Sequence, residues 1–193
     1  MHHSGGAIRN QPNPGIRRGV TISTVIGTIG LGSNLGDRRE HLRRGLLGLE
    51  QADLELLAIS SVWETEPVEV PSGGRFLNMA VRFRTEADPH RVLDLLLDIE
   101  RREGRVRQLR NGPRTLDLDL LTLGALELRS SRLRLPHPRM WSRSFVLEPL
   151  AEIAPELRNP ASGLTVVEEA ERLRGGERVV RIGSLASAQG HPL

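Results

Sequence analysis

Residues 76–100 read FLNMAVRFRTEADPHRVLDLLLDIE, and the change of period inside this stretch decides the fold. From Phe76 to Phe83 the pattern alternates. Leu77, Met79, Val81 and Phe83 fall on one face, and Phe76, Asn78 and Ala80 on the other, as successive side chains of a strand must. At Asp88-Pro89 the period changes. An aspartate is a good N-cap, and proline suits the first helical position, where its missing N–H leaves no bond unmade. Val92, Leu96 and Ile99 then recur at helical spacing. A strand with one apolar face, followed by a helix with one apolar stripe, calls for a sheet with helices packed against it.

The same two periods recur outward from this stretch. Upstream, VIGTIGLG (25–32) is a β-type run, and Leu42, Leu46 and Leu49 mark a helix between Asp37 and Ala52. LELLAISSVWET (54–65) predicts a second strand, and residues 66–75, with two prolines and two glycines, a loop. Downstream, the polar loop GRVRQLRNGPR (104–114) precedes the strand TLDLDLL (115–121). The order β-α-β-β-α-β is the ferredoxin-like signature of an α+β domain. A hairpin (125–134), a helical region (143–153), a helix (165–173) and a final strand (177–182) complete the expected domain, residues 21–182. Residues 1–20, rich in Gly, Pro, Asn and Arg, are expected to be a disordered extension, and 183–193 a loose tail.

Composition narrows the chemistry. The chain has 193 residues, 38 % of them hydrophobic, enough for one ordinary core. It has no cysteine, which excludes disulfides and thiolate chemistry. All 27 basic residues are arginine, and the guanidinium fork suits polyphosphates. A net charge of +3 does not call for a nucleic-acid partner. No run is long and apolar enough to span a membrane. Arg17-Arg18 followed by VTISTVIGTIGLG imitates an export signal, but Thr21, Ser23, Thr24 and Thr28 interrupt it, and cleavage would remove the first strand. A cytoplasmic protein is expected.

The chemistry concentrates in GPRTLDLDLL (112–121). In a strand Leu116, Leu118 and Leu120 share one face and Asp117 and Asp119 the other. Two adjacent carboxylates repel, so a positive partner must stand near them. Mg²⁺, which is held by one or two carboxylates together with substrate phosphates, is the natural one. The D-x-D pattern alone fits a half-exposed acidic strand better. Arg114 and the neighbouring Arg105, Arg107 and Arg110 turn the balance, because carboxylates for metal beside guanidinia for phosphate are what a nucleotide site needs. In LPHPRMWSRSFVLEPL (135–150), His137 lies between two prolines that restrict its backbone. Taken alone, His137 reads as a surface-loop residue and Phe145 as core.

Four motifs together resemble one family. LGSNLGDR (31–38), FLNMAV (76–81), GRVR (104–107) with GPRTLDLDLL (112–121), and LPHPRM (135–140) with RSFVLEPLAEIAP (143–155) are similar to 6-hydroxymethyl-7,8-dihydropterin pyrophosphokinases of the folate pathway. The resemblance runs from about Ile26 to about Pro155. It implies a ferredoxin-like, cytoplasmic, monomeric enzyme that moves the terminal pyrophosphate of ATP to a reduced pterin and releases AMP. It implies no nucleic-acid or membrane partner. Asp117 and Asp119 match the pair that holds two Mg²⁺ ions, and with Arg105 and Arg114 they are the expected catalytic residues. Arg105, Arg107, Arg114, His137 and Arg143 match groups around ATP. Thr65, Val68, Phe76, Asn78 and Phe145 match the pterin site: backbone contacts from Thr65 and Val68, an amide reader at Asn78, and a ring sandwich from the two phenylalanines. Ser33 and Asn34 match a turn beside that site. Three positions depart from the family pattern. Asn111 stands where many relatives have Trp, Pro138 where an aromatic is common, and Glu66 where proline is common. Two rivals remain at this point, an RNA-binding module and a kinase that transfers only the γ-phosphate.

Overall fold

The computed structural model describes residues 24–52, 54–66, 74–104 and 114–185. Strand β1 (Val25–Ser33) leads through a short turn into helix α1 (Arg38–Glu50), where the Asp37 carboxylate accepts the Glu40 N–H. Strands β2 (Glu55–Ile59) and β3 (Val62–Thr65) precede the long β4 (Phe76–Thr85). Helix α2 (Pro89–Arg102) begins as its cap predicts, with the Asp88 carboxylate accepting the N–H groups of His90 and Arg91. Strand β5 (Asp117–Leu123) carries the two aspartates. A small hairpin, β6 (Leu128–Arg129) and β7 (Arg134–Leu135), a 3-10 turn, α3 (Ser144–Ile153), α4 (Val166–Leu173) and β8 (Val179–Gly183) follow.

The main sheet is antiparallel in the order β5-β1-β4-β3-β8, with β2 also on β4. Leu42, Leu46 and Leu49 of α1 and Val92, Leu96 and Ile99 of α2 pack on one face against Ile29, Leu31, Met79, Phe83 and Leu118. The helices approach closely because α1 has glycine at the contact. A Cβ at Gly48 would stand 2.9 Å from Ile99. Leu147 and Leu150 of α3 and Val166 and Ala170 of α4 cover part of the other face, at Ala80 and Leu121. The protein is thus α+β, with helices on both sides of one sheet.

Three details differ from the sequence expectation. The single strand expected over 54–65 is broken at Ser60–Ser61, so that β2 and β3 pair with successive parts of β4. Ser60 bridges the break. Its N–H donates to the Ala80 carbonyl (2.9 Å), and its hydroxyl oxygen accepts the Ala80 N–H (2.8 Å), standing in for a ladder carbonyl. The alternation in β5 holds through Leu121, which faces α3 as Asp117 and Asp119 do, and breaks at the bulge there: Leu121 is the extra residue, Thr122 pairs with Thr28 on that same face, and Leu123 returns to the core under α1 and α2. At the chain's end Gly183 still belongs to β8 and Leu185 is buried in the core. The rest of the expected 183–193 tail, and residues 1–20, lie outside the described residues. Among the described residues no helix is long and apolar enough to cross a membrane.

Candidate active site

The antiparallel register lines up Asp117 of β5, Gly32 of β1, Asn78 of β4 and Trp63 of β3 in one row across the sheet. The next row holds Asp119, Gly30 and Ala80, and at the far end Phe76 pairs with Thr65. Strand alternation puts all of these on the face that α3 covers at Ala80. Leu116, Leu118 and Leu120 are buried against the opposite helices, as expected. The glycines between the acidic strand and Asn78 keep a trough open. A Cβ at Gly32 would lie 3.3 Å from the Asn78 Oδ1 and 3.9 Å from the Asp117 Cβ. At one end of the trough is a carboxylate pair, and at the other an amide.

Each end is held from behind. The Asn78 Nδ2 donates to the Thr65 hydroxyl (2.9 Å), and both side chains are buried. This leaves the Asn78 Oδ1 facing Gly32. Asn34 grips the backbone of Arg114: its Oδ1 accepts the Arg114 N–H (2.7 Å), and its own N–H donates to the Arg114 carbonyl (3.1 Å). Arg114 in turn pairs with Asp117 through its guanidinium. The turn at Ser33-Asn34 therefore positions the arginine at the acidic end.

His137 is tied to β5 at the bulge, where its N–H donates to the Leu121 carbonyl (2.8 Å). Burial pushes its imidazole below the ordinary value, against the field of Asp119, while Arg143 and Arg139 reinforce the depression. Burial raises the Asp119 carboxyl, Asp117 raises it further, and His137, Arg143 and Arg114 oppose. Arg143 ends the 3-10 turn, and its guanidinium lies over the Phe145 ring, 5.3 Å from the centroid. Phe145 and Phe76 are both half-buried, one in the first turn of α3 and the other at the start of β4. The structure thus gathers Asp117, Asp119, Arg114, His137 and Arg143 at one end of the face and Asn78, Thr65 and Phe76 at the other. Val68, Arg105, Arg107, Arg110 and Asn111 lie outside the described residues.

The donor set fits a hard divalent cation. Among the described residues no group of three or more His, Asp or Glu side chains forms a complete metal cage. Two carboxylates that leave the remaining positions to water and phosphate oxygens suit Mg²⁺, which keeps much of its hydration.

Three residues of this region escaped the sequence reading. Glu100 of α2 is 2 % exposed and accepts the Leu118 N–H (2.8 Å), between the two aspartates, from the opposite side of the sheet. Its signal was available, since it stands four residues after Leu96 on the apolar stripe of α2. Glu152 of α3 collects the Ser61 N–H (2.7 Å), the Trp63 indole N–H (3.1 Å) and Arg181 of β8 (3.1 Å). Glu177, just before β8, has its carboxyl raised by burial, with Arg143 and the Phe145 N–H opposing. Nothing in the local sequence announces the contacts of Glu152 and Glu177.

A profile described as 7,8-dihydro-6-hydroxymethylpterin-pyrophosphokinase (HPPK) matches residues 28–155. The chain belongs to this family. It is 42 % identical over 149 residues to a 2-amino-4-hydroxy-6-hydroxymethyldihydropteridine pyrophosphokinase of Bacillus subtilis, covering 77 % of this chain and 89 % of that one. A protein of the same name from Pseudomonas aeruginosa is 43 % identical over 133 residues, with 68 % and 82 % covered. The mitochondrial folate synthesis bifunctional protein of Arabidopsis thaliana is 44 % identical over 125 residues, 65 % of this chain but only 23 % of that protein. Among solved structures, the wild-type HPPK-DHPS of Plasmodium falciparum superposes with a TM-score of 0.60 at 14 % identity, covering 78 % of this chain and 44 % of that one. That likeness is one of fold. The chain therefore spans less than half of the HPPK-DHPS chain and about a quarter of the plant bifunctional protein. The family match ends at residue 155, so α4, β8, Glu169 and Glu177 lie beyond it.

Proposed function

We infer that this HPPK family member transfers the terminal pyrophosphate of ATP to 6-hydroxymethyl-7,8-dihydropterin, giving the pterin diphosphate and AMP in folate biosynthesis. Family membership over residues 28–155 supports the reaction. The observation that carries the assignment to residues is the row Asp117, Gly32, Asn78 across one sheet face, with a carboxylate pair and an amide on either side of a glycine floor.

In this reading Asn78, steadied by Thr65, hydrogen-bonds the amide edge of the pterin. Phe76 and Phe145 stack on its faces, where aromatic contacts add about 0.5–1.5 kcal/mol beyond buried area. Val68 adds a backbone contact. Arg114, His137 and Arg143, with Arg105 and Arg107, hold the triphosphate. Asp117 and Asp119 would hold two Mg²⁺ ions, and such ions would supply charge neutralisation at the phosphates and a lowered pKa for the pterin hydroxyl. The hydroxyl oxygen bonds to the β-phosphorus in line as the bond from that phosphorus to the oxygen of AMP breaks. The hydroxyl proton passes to solvent. No side chain needs to act as a dedicated base. The protein positions the reacting groups and stabilises the charge that develops on the phosphoryl oxygens, and phosphoryl transfer asks little else of it.

The strand order β5-β1-β4 with β2 and β3 beyond supports a ferredoxin-like core to which β8 is added. A cytoplasmic monomer that uses neither nucleic acid nor membrane belongs to the same reading. Incubation with ATP, Mg²⁺ and 6-hydroxymethyl-7,8-dihydropterin tests the function. AMP formed in step with pterin diphosphate supports it. ADP would mean an ordinary kinase, and binding without turnover a binding module.

A further inference from the structure

The motif LGSNLGDR contributes more than its turn. Arg38 is the first residue of α1, where a positive charge opposes the helix dipole, so its placement needs a compensating partner. It has two. Its Nη1 donates to the Glu64 Oε1 of β3 (3.1 Å) and to the carbonyl of Arg75 (2.6 Å), the residue before β4. Arg75 closes the figure from its own side, with Nη1 to the Glu64 Oε2 (3.3 Å) and Nη2 near the Glu66 Oε1 (3.6 Å). Glu64 pairs across the strands with the buried Leu77, so it faces the α1 side, away from the trough.

Each anchor is one residue from a side chain of the proposed pterin site. Glu64 adjoins Thr65, and Arg75 adjoins Phe76; Thr65 and Phe76 are themselves cross-strand partners. Asn34, at the other end of the same turn as Arg38, holds Arg114. We propose that Arg38 is a positioning residue for the pterin half of the site: its guanidinium joins β3 to the entry of β4 from behind and so sets Thr65 and Phe76 against each other. The proposal rests on the pyrophosphokinase reading, and Arg38 itself touches no substrate. A part-exposed ion pair adds little to global stability, so the effect is local geometry rather than folding. Both acceptors take their hydrogen bonds from the one Nη1, and arginine suits the place because its longer, planar guanidinium holds that nitrogen fixed between them, where the shorter, freely rotating lysine ammonium holds it less well.

The test uses the full chain with Arg38→Ala, Arg38→Lys and Glu64→Gln. Steady-state KM for pterin and ATP, calorimetric pterin binding with a non-cleavable α,β-methylene analogue of ATP, and melting temperature are measured. Arg38→Ala is expected to raise the pterin KM and Kd about tenfold, a typical loss for one charge-assisted contact acting on geometry. The ATP KM, kcat and melting temperature stay near wild type. Arg38→Lys and Glu64→Gln fall between and answer the question even if the alanine variant does not fold. Equal losses for pterin and ATP, or unchanged pterin binding in all three variants, overturns the proposal. Wild-type protein that binds pterin but makes no AMP overturns the functional reading instead, and the calorimetric comparison still decides the role of Arg38.

Discussion

Asp117 and Asp119 share a face with no third acidic or histidine ligand completing a cage among the described residues, so their loss should act on the reaction and not on the fold. Asp117→Ala and Asp119→Ala are each expected to remove nearly all AMP formation. Two carboxylates on adjacent rows repel when no cation stands between them. Without Mg²⁺, Asp119→Asn should therefore melt no lower than wild type. Near-normal turnover in either alanine variant would remove the pair from the mechanism. Glu100 poses the reverse case. It is buried and accepts the Leu118 N–H, so Glu100→Ala strands a buried donor, at a cost of about 1–3 kcal/mol. Glu100→Gln keeps an acceptor and should recover much of that. Chemical denaturation of both variants decides; equal losses would mean that the charge, and not the acceptor, matters there. Phe145→Ala should weaken pterin binding more than ATP binding. Because Arg143 lies over that ring, a small ATP loss should accompany it, readable by calorimetry with each ligand.

Among the elements, α4 lies beyond the family match and is held by a capping box. The Thr165 hydroxyl accepts the Glu168 N–H (3.2 Å), and the Glu168 carboxylate accepts the Thr165 N–H (2.7 Å). Thr165→Ala should cost about 1 kcal/mol, measured by denaturation. The Thr165 N–H, then its hydroxyl, hold the Glu168 carboxyl below its ordinary 4.5. A depressed acid contributes stability that is present above its unfolded value and lost as pH falls through the folded one. The melting difference between wild type and Glu168→Gln should thus be steady near neutrality and shrink only below about pH 4.5. A difference that persists unchanged in acid would place the contribution in the side-chain shape and not in the charge. Behind the cap, Asn159 and Ser162 donate to the fully buried Glu169 (2.6 Å each), and Arg172 pairs with it. Burial resists ionisation of Glu169, but these donors outweigh it and hold the carboxyl below its usual range.

For the molecule as a whole, β8 is the outermost strand, paired with β3 on the side opposite β4. Val179 pairs with Thr65, and Arg181 reaches Ser61 and Glu152. A chain ending at Leu173 would leave β3 as an open edge with unpaired backbone groups. It should melt lower and bind pterin less well, as thermal scans and calorimetry would read. Removal of residues 1–20, which have no apolar periodicity to bury, should leave both melting temperature and turnover near wild type. A large drop in either would show that the segment packs on the domain.

Local period and short-range chemistry were legible in the chain alone. The alternation of Phe76–Phe83, the cap at Asp88-Pro89, the division of Leu116, Leu118 and Leu120 from Asp117 and Asp119, and the family motifs could all be read there, because each is written within one element. Whatever depends on which elements become neighbours emerged only with the folded sheet. Gly32 falls between Asp117 and Asn78 because β1 is sandwiched by β5 and β4, and strand order is a long-range property. The break at Ser60 and the bulge at Leu121 arise from pairing with a partner strand, which no single-strand pattern encodes. Glu152 and Arg38 acquire their roles the same way, since each joins groups distant in the chain through contacts that exist only after the sheet has closed.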